Sequence, residues 1–330
     1  MSTPSKKPDY APLKNRILGG LWGMVVGDAL GVPVEFTSRE ERALDPVREM
    51  RGFGTHNQPP GTWSDDTSLA LCTLQSLLFH GFDLHDQAKR FVRYFRQGYL
   101  TPHGKMFDIG RTTADAIKRI ERGDELIEVG GADERDNGNG SLMRFLPMAL
   151  YFYLEKPASH IEFVQLSSQL THAHKRSQMA CGYASLLAQR LLLGENPRAA
   201  YANVNEVFPS LYKSDPWNRE LPHFARLLSG KLDQCDEASI HGSGYVIHTL
   251  EASVYWLLRG NTFSESTLGA VNLGDDTDTT GCVAGALAGL LWGQDAIPQR
   301  FLLPIARRAE LGGWFGQFAD KIIEHTMSRT

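Results

Sequence analysis

The chain has 330 residues, a formal net charge of −4 and an apolar fraction of 42%. This length suits about two average domains or one large helical domain, and the composition is typical of a soluble globular protein. A slightly acidic chain gives no support for nucleic-acid binding. No apolar run reaches the roughly 18 residues of a membrane span, so no membrane partner is expected.

The two ends of the chain differ in character from its interior. Residues 1–13 are polar and contain prolines and lysines, without the apolar stretch of a cleavable signal. They are predicted to form a flexible arm or a strap that binds a partner, with a plain disordered tail as the alternative. Residues 14–330 show no repeat and no linker, which favours one domain.

Cysteine usage indicates the redox compartment. The four cysteines are widely spaced and form no CxxC pair, so they indicate reduced thiols in a cytoplasmic protein and neither disulfides nor a zinc site. These cysteines are Cys72, Cys181, Cys235 and Cys282.

Helical periodicity dominates the chain. Residues 15–31 place apolar side chains at helical spacing between glycines that allow close backbone contact. Residues 64–81 start with a serine cap and two aspartates and end at a glycine, which predicts a helix. In residues 281–292 a glycine recurs every four positions, which favours a helix buried at short interaxial distance. Further helices are predicted at 84–97, 111–121, 141–154, 160–170, 174–193, 246–259 and 264–272.

Two stretches interrupt the helical pattern. Residues 123–140 are polar and rich in glycine, and residues 204–244 mix proline, glycine and charge around one short predicted helix. Long loops inside a compact domain are more often functional than idle. Signals for β-strands are scarce. The expected fold is therefore an all-α single domain with two candidate site loops.

Carboxylates begin two of the predicted helices, in "WSDDTSLAL" and "GDDTDTTG". Capping explains either motif alone about equally well, since the helix dipole favours acidic residues there by about 0.3–1 kcal/mol. A cap needs only one acceptor, whereas the two motifs together offer the hard oxygen ligands that suit Mg²⁺, Mn²⁺ or Ca²⁺. If folding joins the two helix starts, the pattern predicts a paired-metal centre. Its ligands would be Ser64, Asp65, Asp66, Asp276, Asp278 and Thr279.

Two more acidic residues are candidates for the same centre. Glu35 follows the first helix on a Val-Pro segment, where a surface glutamate is the alternative. Asp108 precedes a helix that Thr112 or Thr113 is expected to cap, and a capping role is the alternative for Asp108 as well.

Two Gly-rich turns, "DNGNGSLMRFLP" and "HGSGYVIHTLE", are followed directly by apolar helices. In such a geometry backbone N–H groups can hold phosphates, although each turn alone is a weak signal. The motif "LTHAHKRS" offers His172 and His174, which would not share one face of a helix. A hydrogen bond, a ring stack or solvation is therefore better supported than a joint metal site.

In order along the chain, these motifs resemble the ADP-ribosylglycohydrolase family, which includes dinitrogenase-reductase-activating glycohydrolases and ADP-ribosylarginine hydrolases. The resemblance runs from about Ile17 to Trp292. It implies an all-helical, roughly orthogonal bundle with two Mg²⁺ or Mn²⁺ ions at the base of an ADP-ribose cleft. The motifs that carry it are "GMVVGDALGVPVEF", "WSDDTSLAL", "DIGRTT", "NGNGSLMR", "LTHAH" and "AVNLGDDTDTTGCVAGALAG".

By position, the resemblance also implies residue roles. The metal ligands would be the six residues of the two helix starts, and Asp66 would in addition take part in catalysis. Glu35 and Asp108 would lie beside the scissile ribose. The substrate-binding residues would be Asn139, Gly140, Ser141, His172, Gly242, Ser243, Gly244 and Tyr245.

At three positions the chain departs from the usual pattern of the family. Ser64 stands where threonine is common, which keeps the hydroxyl ligand. Asp275 stands where a glycine is usual, and its charge is expected to disturb the loop or to shift metal affinity. Arg111 stands where asparagine or a small polar residue often follows "DIG", which bears on substrate preference.

The implied function is metal-dependent hydrolysis of the N-glycosidic bond between ADP-ribose and an arginine of a modified protein. One alternative is a different bond in the same cleft, such as ADP-ribosylserine or O-acyl-ADP-ribose. Another alternative is an immunity protein against an ADP-ribosylating toxin, acting by hydrolysis or by occluding the toxin with the arm at 1–13.

Overall fold

The structure, a computed structural model, describes residues 10–329 and is built of α-helices. Two isolated β-bridges, Gly131 with His172 and Gly138 with Tyr245, are the β pairings recorded within that range. The prediction of a single all-α domain is confirmed. The helices are α1 (Ala11–Gly31), α2 (Arg39–Leu44), α3 (Asp65–His80), α4 (Leu84–Gln97), α5 (Arg111–Arg122), α6 (Leu146–Tyr151), α7 (Pro157–Gln169), α8 (Lys175–Leu192), α9 (Pro197–Leu211), α10 (Ala225–Leu228), α11 (Val246–Arg259), α12 (Phe263–Val271), α13 (Thr277–Trp292), α14 (Gln299–Leu302) and α15 (Arg308–Arg329).

Most predicted helices agree with these bounds to within about three residues, and two differences have a local cause. The predicted helix at 141–154 is wrong in its first part, because Leu142–Arg144 form a 3-10 turn and α6 begins only at Leu146. The sequence patterns also miss α9. Its start is signalled by Asn196, whose side chain accepts the N–H of Ala199, but Pro209 in its last turn hides the periodicity.

The N-terminal segment is helical earlier than expected. Since α1 begins at Ala11, the last three residues of the predicted arm belong to a helix, while residues 1–9 lie outside the described part. Contrary to the expectation from sequence, residues 11–34 reach the length and hydropathy of a membrane span. However, 89% of the most apolar window is buried inside the protein, which is the environment of a core helix.

Helices α1 and α13 pack with their backbones in direct contact, along what we call the glycine seam. Its members are Gly19, Gly23 and Gly27 of α1 and Gly281, Gly285 and Gly289 of α13. A Cβ atom added to Gly23 would lie 2.1 Å from the carbonyl oxygen of Gly285. A Cβ on Gly27 would lie 1.9 Å from the carbonyl oxygen of Gly281. Only glycine fits these positions, because no carbon approaches a backbone oxygen so closely.

The C-terminal end of α1 organises both acidic helix starts. Beyond the glycine seam, a Cβ on Gly31 would lie 2.3 Å from the backbone nitrogen of Asp278, so α1 touches the start of α13. One turn earlier, Asp28 accepts hydrogen bonds from the backbone N–H groups of Ser64 and Thr67 at 2.9 and 3.0 Å. A single helix therefore holds the starts of α3 and α13 side by side.

This packing predicts that alanine substitutions in the glycine seam destabilise the protein. Gly23→Ala or Gly285→Ala should lower the free energy of unfolding by about 1–3 kcal/mol or more, because the added methyl forces the two backbones apart. Chemical denaturation followed by circular dichroism measures the change. Gly313→Ala in α15 is the matched control, since its Cβ meets nothing within 4 Å. The control should gain up to about 1 kcal/mol, and equal stabilities of the three variants would contradict the seam.

Candidate active site

A cleft of about 300 Å³ opens above the starts of α3 and α13. The two starts touch, since Thr279 Oγ1 lies 3.2 Å from Asp66 Oδ1 and donates to it. Acidic side chains dominate the lining of the cleft. They are Glu35, Asp65, Asp66, Asp108, Asp276 and Asp278.

The donor set of this cleft fits divalent cations. One oxygen each of Asp28, Asp66 and Asp278 lies within 4.8 Å of the others, and the same holds for Glu35, Asp276 and Asp278. Two buried oxygens, Asp66 Oδ2 and Asp276 Oδ1, have no hydrogen-bond partner among the described residues. A buried carboxylate oxygen without a donor is costly, and a bound cation removes that cost. Hard oxygen ligands in two such groups suit two ions of the Mg²⁺ or Mn²⁺ type.

Asp28 belongs to the first group by distance but serves mainly as an anchor. Its oxygens already accept three hydrogen bonds, from Ser64 N–H, Thr67 N–H and Thr67 Oγ1. Burial raises the pKa of Asp28 to about 6. Sequence reasoning assigned no role in the site to Asp28. A carboxylate inside an otherwise apolar helix was the signal that could have identified it.

Burial and mutual repulsion raise the pKa values of several cleft carboxyls. The pKa of Glu35 rises to about 7, mainly through burial. The pKa values of Asp65, Asp66 and Asp278 lie well above their ordinary range, because each carboxyl is buried and faces other carboxyls. Carboxylates crowded in this way ionise together only when cations neutralise them.

Glu35 is buried and paired, which makes the surface alternative for this residue wrong. Its Oε2 is hydrogen-bonded to Nε2 of His56, and that bond raises the pKa of His56. The His56 ring packs between Phe36 and Phe107, with ring centroids 6.0 and 5.3 Å away. Sequence reasoning missed His56, because a lone histidine in a loop carries no periodic or spacing signal.

Asp108 faces the cleft from the segment before α5. Its backbone carbonyl accepts a hydrogen bond from the Tyr94 hydroxyl at 2.6 Å, which fixes that segment. The capping expectation here is wrong, because α5 starts without any side-chain cap. Instead, Thr112 Oγ1 donates to Asp136 Oδ1 at 3.0 Å. The Asp108 carboxyl is therefore available to a ligand, and burial raises its pKa.

The two Gly-rich turns meet at the opposite wall. The Asn139 N–H donates to the carbonyl of Gly244 at 3.1 Å, and Asn139 Nδ2 donates to Asp276 Oδ2 at 2.9 Å. Gly140 lies against the His172 ring, since an added Cβ would come 2.8 Å from its Cε1. These five residues line the cleft with Gly138. Burial lowers the pKa of His172 to about 3, so its ring is neutral.

Other residues assigned by sequence to the site have internal partners and do not line the cleft. Ser141 Oγ accepts a hydrogen bond from Ser168 Oγ at 2.8 Å. Ser64 Oγ accepts the N–H of Asp66 at 3.2 Å as the cap of α3, which leaves it beside the carboxylates. Both hydroxyls support the walls of the cleft.

Most residues of the second Gly-rich turn also have internal partners and do not line the cleft. The carbonyl of Gly242 accepts the N–H of Asp276 at 3.0 Å. Ser243 Oγ is hydrogen-bonded to His248 Nδ1 at 2.7 Å, while the Tyr245 ring packs on His248 edge to face. These three residues hold the loop that positions Asp276, and of this turn only Gly244 reaches the cleft.

Asp275, whose charge was expected to disturb the loop or to shift metal affinity, does not line the cleft. Its side chain is exposed, and its backbone is left-handed with φ 59°. That conformation is the reason why glycine suits the position. Two backbone hydrogen bonds of 2.7 Å, with Thr37 and Phe36, hold it in place.

Comparisons with known proteins agree with this site. The sequence profile of the family described as ADP-ribosylglycohydrolase matches residues 9–330. The chain belongs to this family. It is 33% identical over 293 residues to "ADP-ribosylarginine hydrolase Tri1" of Pseudomonas putida, covering 88% of this chain and 74% of the relative. It is 30% identical to "ADP-ribosyl-[dinitrogen reductase] glycohydrolase" of Rhodospirillum rubrum, covering 90% of this chain and 92% of that protein.

A solved structure supports the same assignment. The protein titled "ADP-ribosylglycohydrolase-related protein complex" aligns with a TM-score of 0.78 and 33% identity, covering 93% of this chain and 98% of that one. The chain is thus an ADP-ribosyl glycohydrolase with a carboxylate cluster that could hold a dinuclear metal site.

The raised pKa values predict how the metal-free hydrolase responds to pH. The folded-state pKa values of Asp28 and Glu35, about 6 and about 7, lie above their unfolded values near 4. The folded state therefore binds more protons in this window, and the free energy of unfolding contributed by these groups falls as pH rises from about 4 to 7.

We expect the Tm of the EDTA-treated protein to fall between about pH 5 and pH 7.5, and Mg²⁺ or Mn²⁺ to reverse the loss. Asp278→Asn removes one buried carboxyl and should lose less stability over the same range. Thermal unfolding at several pH values measures both effects. A metal-free protein that is more stable at the higher pH, with the variant no different, would contradict the expectation.

Proposed function

We propose that this hydrolase cleaves the N-glycosidic bond between ADP-ribose and an arginine side chain of a modified protein, in the cytoplasm and with two Mg²⁺ or Mn²⁺ ions. The observation that carries the proposal is the convergence of six carboxylates at the base of one cleft. The likeness to a relative named as an ADP-ribosylarginine hydrolase supports the arginine linkage.

The starts of α3 and α13 would hold the cations. Asp66, Asp276 and Asp278 supply the closest carboxylate oxygens, including the two without partners. Asp65 and the hydroxyls of Ser64 and Thr279 complete the set. When bound, such cations supply Lewis acidity and binding positions for ribose hydroxyls and a water molecule.

The remaining chemistry belongs to side chains of the cleft walls. Glycosidic cleavage passes through an oxocarbenium-like state, which nearby carboxylates stabilise, and it needs a proton donor for the leaving group and an acceptor for water. Glu35 and Asp108 line the cleft outside the two helix starts and would share these roles, and Glu35 would do so next to the cation position at Asp276 and Asp278. His56 would keep the Glu35 carboxyl oriented, while Asn139 and Gly140 would hold the substrate against His172.

The first experiment is release of ADP-ribose from an arginine-modified protein, with Mg²⁺ and then with EDTA. Asp66→Asn and Asp278→Asn should each lower the rate by more than about 100-fold, because each removes a cation ligand without changing shape. Asp275→Asn is the matched control, since Asp275 is adjacent in sequence but lies outside the cleft, and it should keep its activity.

Parallel assays on serine-linked and O-acyl-linked ADP-ribose separate the linkages. Cleavage of these substrates without cleavage of the arginine linkage would replace the arginine assignment. Full activity of Asp278→Asn, or activity unchanged by EDTA, would overturn the assignment of the cations.

A further inference from the structure

The carboxylates at the base of the cleft disfavour one part of the proposed substrate, its diphosphate. ADP-ribose, which enters here through the proposed function, carries a diphosphate with two negative charges. The carboxylates at the base would use up the positive charge of two divalent ions, so the base attracts no further anion. A cationic side chain away from the base would therefore strengthen binding of the diphosphate.

Among the described residues, Arg111 is the one basic side chain that lines the cleft. It is the first residue of α5, and its side chain is 67% exposed. One guanidinium nitrogen donates to the carbonyl of Arg135 at 3.3 Å and lies 3.8 Å from Asp136 Oδ1. A guanidinium has five N–H donors, so most of them remain available to a ligand.

The contact with Asp136 orients Arg111 without neutralising it. Asp136 Oδ1 already accepts from Thr112 Oγ1 at 3.0 Å, and its Oδ2 accepts from the Asp133 N–H at 3.2 Å. At 3.8 Å the arginine is beyond hydrogen-bond distance. Arg111 thus lines both the cleft and a neighbouring pocket formed with Asp133, Arg135 and Asp136, and its side chain stays largely exposed.

Other arginines near the Gly-rich turns are already engaged. Arg144 is fully buried and donates to Ser167 and Thr171. Arg176 is buried and paired with Glu134 and Glu220. Neither lines the cleft, which leaves Arg111 for the role.

We propose that Arg111 binds the diphosphate of ADP-ribose and sets the affinity of the hydrolase for the nucleotide end of its substrate. A planar guanidinium suits this role because it binds phosphate oxygens through two parallel hydrogen bonds. The uncapped N–H groups at the start of α5 add a partial positive charge on the same side. Arg111 lies next to Gly110 and Thr112, which also line the cleft.

The expected effect falls on binding and leaves the bond-cleaving step intact. Arg111→Ala should raise both KM and the inhibition constant of free ADP-ribose by about 10–100-fold, the loss typical of a charge-assisted contact. The kcat value should stay within about twofold. Arg111→Lys keeps the charge without the two-pronged geometry and should show a smaller rise.

Arg122→Ala is the matched control, because Arg122 ends the same helix and pairs with Asp124 at 2.9 Å outside the cleft. It should leave KM, kcat and ADP-ribose inhibition unchanged. Both arginines are exposed, so equal Tm values of the variants will show that folding is intact.

Calorimetry of ADP-ribose binding in the presence of Mn²⁺ separates this inference from the proposed function. If the wild type binds ADP-ribose and Arg111→Ala weakens that binding, the inference holds even when no arginine-linked substrate is cleaved. If KM rises while ADP-ribose binding is unchanged, Arg111 contacts the modified protein and the inference is wrong. Unchanged KM and unchanged binding would overturn it as well.

Discussion

Direct contact between the backbones of α1 and α13 determines where the carboxylates of this hydrolase lie. Two helices with ordinary side chains between them stay about 8–10 Å apart, and Gly31 could then not touch Asp278. The glycines of the seam each weaken a helix by roughly 0.5–1 kcal/mol relative to alanine. Burial of most residues of both helices offsets that loss.

At the end of this contact between α1 and α13, carboxylates repel one another. Asp28, Asp66 and Asp278 lie within one small volume, where burial raises all three pKa values. Helix dipoles at the two starts ease the repulsion only slightly. A fold optimised for stability alone would place apolar residues there. The retained carboxylates, together with the unpartnered oxygens of Asp66 and the neighbouring Asp276, are the mark of a site completed by ligands.

Local signals predicted much of this from the sequence, and long-range contacts account for what they missed. Caps and periodicity located α3 and α13, and the four-residue glycine repeat indicated close packing. The local sequence does not show which helix packs against the glycines of α13. The role of Asp28 as an anchor was therefore not recognised. His56 contacts Glu35 across 21 residues of chain, and Ser141 turns inward toward Ser168; neither arrangement follows from spacing along the sequence.

The raised pKa values of the cluster have a consequence for how the site fills. Because burial raises the pKa values of these carboxyls, divalent ions that bind to them compete with protons. Occupancy of the site would then depend on pH as well as on the metal concentration, and it would fall as the surroundings become more acidic.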